Sequence, residues 1–174
     1  MISKEAQIFA REKHGGQMRK FEDVPYFNHV ENVAKIVDES KESHAKDELV
    51  AAAYLHDTLE NTKTSEEELK NHFGKLIASL VKELTTDKKE TKIVGKDKYL
   101  ADKMSDPEKM SNWGLVIKLA DRLDNVSDLN VSTKEFKKKY TDETNYILLE
   151  IEKKRELTET QKKLVEKIRD KLKN

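Results

Sequence analysis

The sequence contains no cysteine, two prolines and five glycines, and its 34 basic side chains are matched by 34 acidic ones. Each shortage excludes something. Without cysteine there is no disulfide, zinc ribbon, iron–sulfur cluster or thiol nucleophile, so any metal must be held by nitrogen and oxygen ligands. A formal net charge of zero removes the global basic field that drives non-specific binding to nucleic acids or anionic membranes. The longest uninterrupted apolar run, Leu49 to Leu55, is too short to cross a bilayer. The opening Met1-Ile2-Ser3-Lys4-Glu5 lacks the apolar stretch of a secretory signal. The expectation is a soluble cytoplasmic protein with no nucleic-acid or membrane partner. Hydrophobic residues are 36% of the chain and charged residues 39%, polar but within the globular range. A length of 174 residues suits one domain with its own core, read here as residues 1–174.

With so little glycine and proline, periodicity carries the reading, and it is helical rather than alternating. Val30, Val33, Ala34 and Val37 follow i, i+3, i+4, i+7 on a helix that Asn28 is expected to cap. Asp47 to about Glu60 reads as one Ala-rich helix, central because its small side chains permit close approach of neighbours. Thr64-x-x-Glu67 and Ser65-x-x-Glu68 both fit a capping box, opening a helix expected to stop near Gly74. Leu76 to Leu84 gives a further short amphipathic helix, and Thr85 to Lys98 reads as a Lys-rich loop with a helix to follow. Val116, Leu119, Ala120 and Leu123 mark a second central helix from about Trp113 to Asn125. Two more are expected over roughly Tyr140–Lys153 and Thr160–Leu172. There is no internal repeat and no strand pattern, so the fold class is all-α.

Three polar groups interrupt these apolar faces: His29, the pair His56-Asp57, and Asp121. Adjacent residues on a helix point about 100° apart, so His56 and Asp57 can share an ion only if it lies over the helix edge and other helices complete the set. Two imidazoles and two carboxylates without sulfur suit a catalytic Mn, Fe, Co or Mg ion better than a closed structural zinc site. The competing reading makes the histidines satisfied core residues and the aspartates caps or ion-pair partners. His44 and His72 sit in polar surroundings and are expected at the surface. The Lys134, Lys137, Lys138, Lys139 cluster reads as a solvated face.

The wording around these groups is specific. His14-Gly-Gly-Gln-Met-Arg19-Lys20, Pro25-Tyr-Phe-Asn-His29, Leu55-His56-Asp57-Thr-Leu-Glu60 and Lys118-Leu-Ala-Asp121-Arg-Leu-Asp-Asn125 occur in this order. Together they resemble the HD-superfamily hydrolase domain of the stringent-response alarmone enzymes, the RelA/SpoT homologues and their small stand-alone relatives. The resemblance runs from about Glu5 to Leu149 and implies a helical HD bundle with a mononuclear metal site. It implies one divalent ion, usually Mn2+, on His29, His56, Asp57 and Asp121. It also implies removal of the 3′-pyrophosphate of (p)ppGpp to leave GDP or GTP. By the same resemblance Arg19, Lys20, Asn125 and Tyr140 bind the guanine nucleotide, and His14 supports the Arg19-Lys20 loop. No synthetase domain follows, so a stand-alone hydrolase is expected.

One departure stands at Glu60-Asn61, where the family typically reads Glu-Asp and uses the acids to activate water. An amide orients water but accepts no proton at neutral pH, so base work would fall to Glu60, four residues after His56 on what reads as the same helix. Phe21 stands where relatives often carry a small polar residue. These departures keep two alternatives open: an HD phosphohydrolase for another nucleotide, such as an adenine alarmone, a nucleoside monophosphate or NADPH, and a weakened enzyme that binds alarmone as a sensor. The roles of Lys118 and Arg122, flanking Asp121, stay open.

Overall fold

The computed structural model describes residues 1–40 and 43–173. Its described residues contain helices and no strand; the one β-type pairing is an isolated bridge between Met18 and Pro25. The chain forms two compact units, Met1–Thr85 and Thr86–Asn174.

The first unit holds α1 (Ile2–Lys13), α2 (Phe27–Ser40), α3 (Lys46–Leu55), α4 (Thr58–Asn61) and α5 (Glu66–Leu84). Helix α3 packs against α1, α2 and α5, and Leu49, Ala51, Ala52, Ala53 and Leu55 are fully buried. The face that α1 buries is a stripe of Ser3, Ala6 and Ala10. That stripe explains why α1 escapes a hydrophobicity pattern: it buries small residues and leaves Ile8 61% exposed. Asn28 is not a cap; the helix begins at Phe27, directly behind Pro25, with Asn28 in its first turn. Ser65 does cap α5, accepting from the Glu68 amide. At Gly74 the backbone reaches φ +80°, ψ 168° and kinks α5, a left-handed excursion that glycine makes without a Cβ clash.

The second unit holds α6 (Lys88–Val94), α7 (Lys96–Ser105), α8 (Asn112–Ser127), α9 (Lys134–Lys154) and α10 (Glu159–Leu172). Helix α8 buries eleven of its residues, Leu115 to Ala120 among them, against α10 and α9. The loop expected over 85–98 is instead α6 and the start of α7, joined at Gly95. Asp87 caps α6 through the Lys89 and Glu90 amides, and α6 buries nothing, so it offers no apolar period to read. Helix α9 likewise starts well before Tyr140, at Lys134 behind a Thr133 cap. The last helix, expected over roughly Thr160–Leu172, opens on a capping box formed reciprocally by Thr158 and Gln161.

The start of α1 is held from a distance. Met1 provides no side-chain cap; instead Asp47 of α3 accepts from the Ile2 amide at 2.7 Å and from the Ser3 hydroxyl. Desolvation alone would raise the Asp47 pKa, but the hydrogen bonds from Ser3 and Ile2 outweigh it and hold the carboxyl below its ordinary range. A depressed carboxyl contributes stability that is complete above its unfolded pKa of about 3.9 and vanishes as pH falls through the folded value. Asp47→Ala is therefore expected to cost about 1 kcal/mol at neutral pH, measured by denaturant unfolding, with the deficit disappearing in acid.

Candidate metal centre and its surroundings

The expected single helix over 47–60 breaks at its most polar point. Helix α3 ends at Leu55, His56 and Asp57 lie in the break, and α4 starts at Thr58. Asp57 sits near φ −104°, ψ 0°, the bridge region between helix and turn. The break corrects the edge-on geometry that an unbroken helix would impose. His56 and Asp57 now face one point, with His56 Nε2 3.1 Å from Asp57 Oδ2. It also separates Glu60 from His56, placing Glu60 half-buried on α4 rather than on one helix with the histidine.

His29 enters from the first turn of α2, its Nε2 3.8 Å from the same Asp57 oxygen. The His29 and His56 rings meet edge to face at 5.4 Å. Ligand atoms of His29, His56 and Asp57 all lie within 4.8 Å of one another, and all three residues are buried. The donor chemistry fits a divalent ion. His56 Nδ1 lies 2.8 Å from the Ala53 carbonyl, which only accepts, so Nδ1 carries the hydrogen and Nε2 presents a lone pair beside the carboxylate. A carbonyl fixing the far ring nitrogen is how metal-bound histidines are oriented.

Tyr26, to which the sequence assigned no role, donates its hydroxyl to Asp57 Oδ2. It closes a hairpin whose other residues carry Arg19 and Lys20: the Arg19 amide donates to Val24 O at 3.0 Å and the Tyr26 amide to Gln17 O at 2.8 Å. Arg19 is half-buried and Lys20 exposed, its ammonium 5.1 Å from the Phe21 ring centroid. His14 supports this hairpin as expected, through a 2.8 Å contact between Nδ1 and Gln17 Oε1. Burial pulls the His14 imidazole below its usual pKa, against the Gln17 hydrogen bond and the Asp57 charge, so the ring is neutral at pH 7. Asn61 is exposed, and its backbone carbonyl receives Gln17 Nε2 at 2.8 Å.

Asp121 belongs to the second unit, on α8. Lys118 Nζ lies 3.2 Å from its Oδ2, and Asn125 Nδ2 donates to its Oδ1 at 2.8 Å. Lys118 and Arg122 do not point to solvent; they are 9% and 5% exposed. Arg122 donates to Glu143 Oε1 at 2.8 Å, and its guanidinium lies 4.5 Å from the Tyr140 ring centroid. Phe136 stacks against that ring at 5.6 Å. Enclosure pushes the Tyr140 phenol up to about 12, opposed by the Arg122 charge, so Tyr140 is a neutral hydrogen-bond donor throughout the physiological range. Glu143 carried no sequence signal, because a lone acid on a polar helix reads as solvated. His44 and His72 are exposed as expected.

The HD domain family profile matches residues 6–158. The chain is 40% identical over 145 residues to a guanosine-3′,5′-bis(diphosphate) 3′-pyrophosphohydrolase of Aquifex aeolicus, covering 80% of this chain and 19% of that protein. It thus spans about a fifth of that relative's length. It is 41% identical over 133 residues to the MESH1 pyrophosphohydrolase of the same description from Xenopus tropicalis, covering 75% of this chain and 71% of the relative. Among solved structures, a metazoan ortholog of SpoT described as hydrolysing ppGpp superposes with TM-score 0.76 at 30% identity, over 97% of this chain and 94% of the other. A Listeria monocytogenes structure at TM-score 0.63 and 19% identity, over 85% of this chain and 98% of the other, shares the fold.

The buried Arg122–Glu143 pair gives the test of the second unit. Arg122→Met strands a carboxylate whose side chain is only 10% exposed and is expected to cost about 3 kcal/mol in denaturant unfolding. Replacing both partners by apolar residues should recover most of that loss.

Proposed function

The chain belongs to the HD domain family, and from that premise we propose that it is a metal-dependent hydrolase of the 3′-pyrophosphate of (p)ppGpp, releasing GDP or GTP and pyrophosphate. The observation that carries the reading is the buried His29, His56 and Asp57 group with its fixed His56 tautomer. Relatives that bear this activity in their descriptions, at about 40% identity, support it.

His29, His56 and Asp57 hold the ion, with Asp121 assigned as fourth ligand on the family pattern and Mn2+ as the metal. When bound, a divalent ion supplies charge neutralisation at the diphosphate and activates water for attack on phosphorus. Asp57 and Asp121 balance a divalent charge between them, so the remaining charge of the nucleotide falls to side chains outside the ligand set. Arg19 takes phosphate or base through its planar guanidinium, and Lys20 adds a mobile positive charge. Asn125 and the neutral Tyr140 hydroxyl donate hydrogen bonds to the nucleotide. Tyr26, donating to Asp57 Oδ2, fixes the orientation of that carboxylate beside His56 and His29.

Glu60 is the proton acceptor. Its neighbour Asn61 orients water or phosphate through its side chain without exchanging a proton. An amide at this position also favours a second reading, in which the chain binds the alarmone and turns it over poorly.

Incubation of the purified protein with ppGpp and Mn2+, followed by ion-exchange analysis, is expected to show GDP and pyrophosphate, and nothing with chelator present. Intact ppGpp alongside calorimetric binding would establish the sensor reading instead. Glu60→Gln is expected to lower turnover by about 10²- to 10⁴-fold with Mn2+ binding retained; full turnover would remove Glu60 from the mechanism.

A further inference from the structure

Gln17 uses every polar group it has. Its amide donates to the His14 carbonyl at 3.1 Å and its carbonyl accepts from the Tyr26 amide at 2.8 Å. Its side chain meets His14 Nδ1 at 2.8 Å and the Asn61 carbonyl at 2.8 Å. The directions of the last two are forced. A peptide carbonyl only accepts, so Nε2 of Gln17 faces Asn61 and Oε1 faces His14. His14 Nδ1 therefore carries the hydrogen, and its buried Nε2, without a hydrogen-bond partner among the described residues, is the bare nitrogen.

These side-chain bonds are not needed to form the hairpin. It is closed by its own backbone, through the Arg19–Val24 and Tyr26–Gln17 hydrogen bonds and the Met18–Pro25 bridge. What the Gln17 side chain fixes is where the hairpin sits. At one end, Tyr26 ties it to Asp57. Gln17 adds a tie at a different point, to the last residue of α4.

We propose that Gln17 is a positioning residue: its side-chain amide clamps the Arg19–Lys20 hairpin to the end of α4, in register with Glu60 and Asn61. What the hairpin holds rests on the substrate reading above; the clamp itself does not. Because the ties act on groups that hold the nucleotide before reaction, losing them weakens substrate binding rather than turnover.

Two variants separate the arms of the clamp. Gln17→Met removes both side-chain bonds at similar volume. Gln17→Glu keeps an acceptor for His14 but turns an oxygen toward the Asn61 carbonyl. Both are expected to raise KM for ppGpp about tenfold, the scale of one good hydrogen bond, with kcat within about twofold and Mn2+ affinity unchanged. An unchanged KM in both variants, accompanied by a lower Tm, would make Gln17 a structural residue only and overturn the proposal. Independently of substrate, nitrogen-15 spectra of the wild-type protein with Mg2+ as a diamagnetic ion should show the His14 hydrogen on Nδ1; finding it on Nε2 overturns the clamp. If the wild-type protein left ppGpp intact, the substrate reading would fail while the His14 tautomer still decided the clamp.

Discussion

Two neighbouring residues on a regular helix diverge by about 100° and can share an ion only over the helix edge, and the first unit is organised around relieving that constraint. An unbroken helix turns about 100° per residue, which would send His56 and Asp57 to different faces. The break after Leu55 lets both face His29. Breaking a helix inside a core leaves carbonyls that must find partners, since an unanswered buried polar group costs about 1–3 kcal/mol. Here the site's own side chains answer them. The Ala53 carbonyl meets the His56 ring, and the Leu55 carbonyl takes the Thr58 hydroxyl at 2.7 Å. The group that repairs the helix end is thus also the group that sets the ligand's tautomer.

The second unit solves a related problem with charge instead of backbone. Helix α8 carries Lys118, Asp121, Arg122 and Asp124 in an otherwise apolar run, and three of the four are buried. Such groups are tolerated only when paired. Lys118 and Asn125 engage Asp121 from one turn on either side, while Arg122 reaches across to Glu143 and covers the face of Tyr140. Consecutive residues 121 and 122 therefore serve different directions.

Most helices were legible because their apolar residues recur at helical spacing, as in Val30 to Val37 and Val116 to Leu123. What escaped had no such period. Helix α1 buries serine and alanine, α6 buries nothing, and the first turns of α9 are lysine-rich. The break at His56-Asp57 was hidden because the flanking residues are good helix formers, and tertiary demands overrode their preference. The residues read as metal ligands in the first unit stand together, because their types alone restrict the chemistry. Gln17, Tyr26 and Glu143 did not stand out, since glutamine, tyrosine and glutamate acquire meaning only from the partner that faces them.

Gln17 grips residue 61 by its peptide carbonyl, not by its side chain. The scaffold at that position is therefore indifferent to what the side chain carries. Substitution of the amide by a carboxylate there adds a charge and a proton acceptor while keeping the carbonyl that Gln17 grips. Position 61 is in this sense a dial for acid–base character mounted on a fixed frame, and reactivity can drift along it without refolding the site.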